Sequence, residues 1–294
     1  MQHLLEVLLS GLVSGCYYAA LAAALSLVFG ISKVVNFAHG EFVMVGGFCY
    51  LLSIPHVGPI GAELFAFAAP AAMAFAFHGL IFRRRSLASA DVLSLGEYQL
   101  ITTFALGMFL LNLALMLFGP EIRSVPAAIS LPRIRTEFFS ISSERLAGLL
   151  QCVALLLAVH LFLAKTSIGR LLRAASQNAN AISTLGVDAE RFERLAFSAG
   201  CGVAGLAGAF IAPVFAVYPE SGAAFALKCF VVVVLGGFGS FTGTIAGGLL
   251  LGVIEAFSGA LISTAYKDAF GFATLLVVLF IRPHGLFGER ARGV

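Results

Sequence analysis

Asn36, His39 and Glu41 stand within six residues of one another in VVNFAHGEF, a grouping of amide, imidazole and carboxylate at the mouth of an apolar stretch. Glu255 interrupts another apolar stretch in LGVIEAF, Lys228 borders the run 229–254, and His78 and His160 lie near run ends. Ionisable groups inside apolar segments point to solute, ion or proton pathways. Glu255 either faces the interior of a helix bundle or meets headgroups or water at a helix end. Lys228 is expected to snorkel to the outer interface, and the two histidines to cap or snorkel at cytoplasmic helix ends. The sequence has no GxxxxGK[ST], HExxH or GxSxG, and no pair of carboxylates that can be placed on one face, so no catalytic residue set is read. GGFGS lacks the spacing and the βαβ context of a dinucleotide loop. Cys16, Cys49, Cys152, Cys201 and Cys229 occur singly in apolar runs, as small hydrophobes rather than metal ligands.

The elements that must hold these groups are membrane helices. The chain is 60% hydrophobic and 11% charged, with a mean hydropathy of +1.00, where a soluble domain carries roughly 25% charge. The net charge of +3 reflects loop distribution and implies no nucleic acid. A crossing needs about 20 apolar residues. Runs 7–32, 42–62, 64–82, 98–120, 146–164, 195–219 and 229–254 meet that length, and shorter ones follow at 256–266 and 269–281. Pro55 cuts the second run short, so 37–54 reads either as a re-entrant or broken segment with its polar trio near a pathway, or as a solvated loop. The fold class is therefore all-α: one polytopic transmembrane domain over 1–294, with about eight crossings, a broken segment and one cytoplasmic helix. Gly11/Gly15, Gly243/Gly247 and Gly248/Gly252 have the spacing of close helix contacts. Gly236–Ser240 reads as a turn between crossings.

Arg83–Arg85 and the basic first half of Lys165–Glu193 fall two spans apart, on one side, which the positive-inside rule makes cytoplasmic. With the basic tail of Arg282, Arg290 and Arg292 also inside, eight crossings put both ends in the cytoplasm. Within 165–193, residues 170–185 form an amphipathic helix, with Leu171, Ala174, Ala175, Ile182 and Leu185 on one face and Arg173, Ser176, Gln177 and Asn180 opposite. Gly186 ends it and Asp188 caps the next helix. Periodicity leaves two readings open: a helix lying in the headgroup layer, or one docked on another protein.

Asn36-Phe37-Ala38-His39-Gly40-Glu41, then GRLLRAASQNANAISTLGVDAERF, then Gly205-Leu206-Ala207-Gly208, then VVLGGFGSFTGTIAGGLLLGVIEAF resemble, in order, the permease subunits of branched-chain amino acid ABC importers. The likeness runs from about Gly11 to Phe287 and is nearest the shorter, LivH type. It implies a non-enzymatic subunit that binds no cofactor, forming half of a pathway for branched-chain amino acids or a similar small polar solute. The partners it implies are a second, LivM-like permease, two cytoplasmic ATPase subunits and a periplasmic solute-binding protein, in a bacterial inner membrane. It makes 170–186 the coupling helix, with Arg170, Arg173, Ala174, Gln177, Asn178, Ala181 and Gly186 facing the ATPase, and leaves Asn36, His39, Glu41 and Glu255 to line or gate the path. Ser176–Asn180 lacks the acidic residues that members of the family often carry there. A stand-alone channel or ion-coupled carrier is the alternative, and it would place ionisable groups deep in several spans.

Overall fold

The computed structural model describes residues 2–32, 35–79, 95–127, 131–132, 134–136, 139–177 and 188–288. Its helices are α1 (Gln2–Ser32), α2 (His39–Phe77), α3 (Leu95–Phe118), α4 (Ser143–Lys165), α5 (Ser167–Gln177), α6 (Ala189–Phe215), α7 (Ser221–Gly236), α8 (Phe241–Leu261) and α9 (Lys267–Ile281). A small antiparallel hairpin of β1 (Ile134–Thr136) and β2 (Phe139–Ile141) precedes α4. Seven of the described helices are long and apolar enough to cross a membrane, and α7 is an eighth apolar helix of 16 residues. This is an all-α polytopic membrane protein. The turn expected at Gly236–Ser240 separates α7 from α8, and the Ser240 hydroxyl accepts from the Gly243 amide to cap α8.

At 39 residues α2 would be about 58 Å long if straight, nearly twice a bilayer's apolar core. It is not straight: Gly58 adopts φ 71°, ψ 175° and divides it into two arms. Only glycine takes that conformation without strain, and Pro59, with its φ already helical, starts the second arm. The Phe42 and His78 rings both pack on Phe197 of α6, so the second arm returns to the level at which the first began. Pro55, expected to close the segment, lies inside the first arm, and the break comes three residues later, where glycine permits it.

Both arms close on α6 through glycines. A Cβ on Gly46 would strike the Gly205 backbone, one on Gly205 would strike the Ala66 carbonyl, and one on Gly208 would strike the Val43 carbonyl. The other pairing joins α1 to α8, where Gly11 and Gly15 meet Gly252 and Val253, and Ala19 meets Gly248. The Gly11/Gly15 and Gly248/Gly252 patterns read from sequence are thus the two sides of one contact, while Gly243/Gly247 meets Gly236 and Val232 of α7. Small residues let helices approach in lipid, where side-chain burial gives no hydrophobic gain.

This pairing is antiparallel. The start of α1 lies beside the end of α8, while Phe29 near its other end packs against Phe238. The segment after α9 hydrogen-bonds the end of α7, through Leu286 N–H to Leu235 O (2.9 Å) and Phe287 N–H to Gly236 O (3.0 Å). The start of α1 and the end of the described chain therefore occupy opposite ends of the bundle. That corrects the expectation of both ends on one side, because the first arm of α2 adds a passage where none was counted.

Replacing Gly252 by Leu should break the α1–α8 contact. Overpacking costs about 1–3 kcal/mol, so the unfolding midpoint in detergent should drop by several degrees. Gly259→Ala is the control, since the nearest atom to its added Cβ would be Thr264 Cγ2 at 3.7 Å. Equal midpoints for the two variants would contradict the packing account.

Candidate functional site

At the centre of the bundle the chain is not helical. Val35–Ala38 lies against the middles of the surrounding helices: Phe37 N–H points to Thr103 Oγ1 (3.4 Å) and Asn36 Nδ2 to Cys201 Sγ (3.7 Å). Non-helical backbone at membrane depth requires such cover by protein. Asn36 Oδ1 accepts from Ala38 N–H (3.0 Å), bending the chain into α2. The His39 Nε2 lies 3.0 Å from the Leu21 carbonyl of α1, so Nε2 carries the proton and donates it. Asn36 and His39 are 3% and 1% exposed and serve as ties between the start of α2, α1 and α6. Nδ1 of His39 has no hydrogen-bond partner among the described residues.

Glu41 differs from these two. Its carboxyl carbon would lie 3.8 Å from a Cβ on Gly107 of α3 and 3.2 Å from one on Gly222 of α7, in a slot flanked by two residues without side chains. The start of α7 meets the start of α2 here, since a Cβ on Gly40 would strike the Gly222 carbonyl. Two helix N-termini, each the positive end of a peptide dipole, thus converge beside one buried carboxyl group. Broken helices that expose their N-termini in mid-membrane are a recurrent way of binding charged solutes.

Glu255 faces the bundle interior and is fully occupied. Tyr18 donates to Oε2 (2.6 Å) and Lys228 to Oε1 (2.6 Å), and Lys228 also reaches Asp268 Oδ1 (2.8 Å). Lys228 Nζ sits 4.9 Å from the Tyr18 ring centroid. Lys228 therefore turns inward instead of snorkelling to the interface, because Glu255 offers a charge partner at the reach of its stem. Tyr18 and Asp268 were not read as site residues; only the packing of α1, α7, α8 and α9 brings them together. His78 caps the end of α2, its amide donating to Ala74 O and Phe75 O, and is buried beside Phe197. His160 is exposed and stacks on Phe241.

The basic segment after α4 forms α5. Thr166 takes the corner: its N–H donates to Phe162 O and its hydroxyl accepts from Gly169 N–H (2.9 Å). A Cβ on Gly169 would collide with Phe162 O and with Leu163, so glycine sets how closely α5 folds back on α4. α5 begins three residues before the expected Arg170. Its inward stripe is Ile168, Leu171, Leu172 and Ala175, of which Leu172 and Ala175 are buried. Ala174, expected on the apolar face, is exposed with Arg170 and Arg173. Gln177 is the last residue of α5. Asn178, Ala181 and Gly186 lie outside the described residues, as does Arg83–Arg85. Asp188 caps α6 as expected, its Oδ1 accepting from Glu190 N–H (3.1 Å) and Arg191 N–H (3.2 Å).

The ion pair is testable separately. Lys228→Met leaves Glu255 buried without its charge partner and should cost about 3–5 kcal/mol. The double variant Lys228→Met/Glu255→Gln should recover part of that loss, giving a non-zero coupling in a thermal double-mutant cycle. Additive losses would remove the pair as a structural tie.

Residues 7–279 match the family profile described as the branched-chain amino acid transport system permease component. The high-affinity branched-chain amino acid transport system permease protein LivH of Salmonella typhimurium is 31% identical, with 98% of this chain and 96% of that protein covered. BraD of Pseudomonas aeruginosa, described in the same words, is 30% identical over the same shares of the two chains. A probable LivH of Methanocaldococcus jannaschii is 24% identical, over 91% of this chain and 87% of its own length. Among solved structures, PsaBC from Streptococcus pneumoniae in complex with Fab shares the fold, with a TM-score of 0.50 and 14% identity over 95% of this chain and 93% of that one. The family is one of transport permease subunits, not enzymes, and it implies partner ATPase and binding-protein components. With its central broken helix and basic amphipathic helix in place, this chain belongs to the branched-chain amino acid transport system permease family.

Proposed function

We propose that the chain is half of the translocation pathway of an ATP-driven importer of branched-chain amino acids or a similar small polar solute. It pairs with a second, LivM-like permease in a bacterial inner membrane. Two cytoplasmic ATPase subunits and a periplasmic solute-binding protein complete the assembly. The observation that carries this reading is α5, an 11-residue helix held rigidly against α4 by the Thr166–Gly169 corner, with Arg170, Arg173 and Ala174 turned outward. A helix lying in headgroups turns its apolar face to lipid and its charges to water. Here Leu172 and Ala175 are buried, and Ile168 and Leu171 turn to a cavity bounded by α4, α6 and Leu27 of α1, so that Arg170, Arg173 and Ala174 form the surface offered to a protein partner.

The basic residues fit this orientation. Lys165, Arg170, Arg173 and Arg282 are at the α5 end of the bundle, which is then the cytoplasmic one. On this reading ATP-driven motion of the ATPase enters at α5, passes through the α4–α5 corner and shifts α4 and α6 against the centre. The solute passes the break near Glu41, where a carboxylate can meet an ammonium group and two helix N-termini can meet a carboxylate. Asn36 and His39 act on the path by fixing the start of α2.

Two experiments test this with the full assembly in proteoliposomes. Ala174→Arg should lower ATP-dependent uptake of leucine at least tenfold while the permease pair still assembles. Uptake at the native rate, or leucine flux through this chain alone without ATP, would contradict the coupling role. Glu41→Gln should lower uptake of the zwitterionic amino acid without lowering expression or ATPase docking; undiminished uptake would remove Glu41 from the path.

A further inference from the structure

A space that transport leaves unused lies between α4, α6 and the second arm of α2. It is a cavity of about 650 Å³ that reaches α5, lined by apolar residues that include Phe67, Val159, Phe162, Leu172, Ala199 and Val203. Its size is within the range of about 300–1,000 Å³ found for organic-ligand pockets. At one end α2 and α4 are bridged by Gln151 Nε2 donating to Glu63 Oε1 (2.5 Å). One turn further along each helix, Phe67 and Leu155 already line the cavity. The gap therefore opens from that bridge toward α5, where Phe162, Ile168 and Leu195 are 38%, 54% and 60% exposed.

Lys165 stands at this open end. It continues the stripe of Leu155, Val159 and Phe162 along α4 by helical spacing, is exposed, and has no ion-pair partner among the described residues. The cation across the mouth, Arg191, is paired with Asp188 (3.1 Å). The arrangement is thus an apolar slot within the membrane layer with Lys165, a cation without an ion-pair partner among the described residues, at its rim.

We propose that the cavity holds an acyl chain of a glycerophospholipid from the cytoplasmic leaflet, whose phosphate is held by Lys165. The assignment to that leaflet rests on the orientation proposed above. The lining offers a polar solute nothing to bond, whereas an acyl chain fits its shape and chemistry. Moving a chain from bilayer to cavity brings no hydrophobic gain, so retention depends on close packing around the chain and on the charge contact at the phosphate. The occupant bears on Ile168, Leu171 and Leu172, the inward face of α5, and so steadies the helix whose outer stripe faces the ATPase.

The test is native mass spectrometry of the full chain released from mild detergent, before and after reloading with dioleoyl-phosphatidylglycerol. One phospholipid should remain on the native chain. Ala199→Phe, which fills the cavity from α6, should reduce occupancy at least tenfold. Lys165→Gln should weaken retention several-fold with no change in unfolding midpoint, and Leu276→Phe on the outer face of α9 should change neither. Undiminished retention in Ala199→Phe or in Lys165→Gln would overturn the site. So would a photo-crosslinker at Val203 that captures a neighbouring protein in the assembled transporter instead of lipid. Retention is read without ATP or solute, so failure of the transport reading and failure of this one are distinguishable.

Discussion

Backbone-to-backbone contact across glycines holds the centre of this bundle together. Within a bilayer the solvent is as apolar as leucine, so helices gain by fitting closely rather than by escaping water. Gly46, Gly205 and Gly208 bring both arms of α2 against α6, and Gly11, Gly15, Gly248 and Gly252 bring α1 against α8. The two contacts have different consequences. The α1–α8 contact carries Tyr18 to Glu255, while the α2–α6 contact allows a helix to begin in the interior, because Asn36 and Ala38 just before it are buried.

That interior start determines where polar chemistry is possible. Asn36 and His39 spend their hydrogen bonds on Ala38, Cys201 and Leu21, and Glu255 is held by Tyr18 and Lys228. Glu41 remains in a slot between Gly107 and Gly222, beside the N-termini of α2 and α7. A carboxylate flanked by two helix dipoles suits a solute with both an ammonium and a carboxylate. The residues that build the break are thus distinct from Glu41, the one proposed to face a passenger.

What could be read in the sequence was local, and what could not was tertiary. The Gly236–Ser240 turn and the Asp188 cap are set by neighbours in the chain, and both take the expected form. Pro55 was a misleading stop, since a helix tolerates proline at the cost of one hydrogen bond while the reversal needs the positive φ of Gly58. The inward turn of Lys228 depends on Glu255, 27 residues away on another helix. The rotation of α5, which puts Ala174 outside and Leu172 inside, follows from how Gly169 presses on α4. A helical wheel fixes which residues share a face but not which face the fold will bury.

The role of α5 depends on that rotation. With Leu172 and Ala175 buried within the chain, the helix presents Arg170, Arg173 and Ala174 outward, as the surface proposed to bind a protein. A photo-reactive residue at position 174, in the assembled transporter within native membranes, decides this most directly. The account requires covalent capture of the ATPase subunit as the main product. Adducts with phospholipid alone would contradict it and return α5 to the membrane surface.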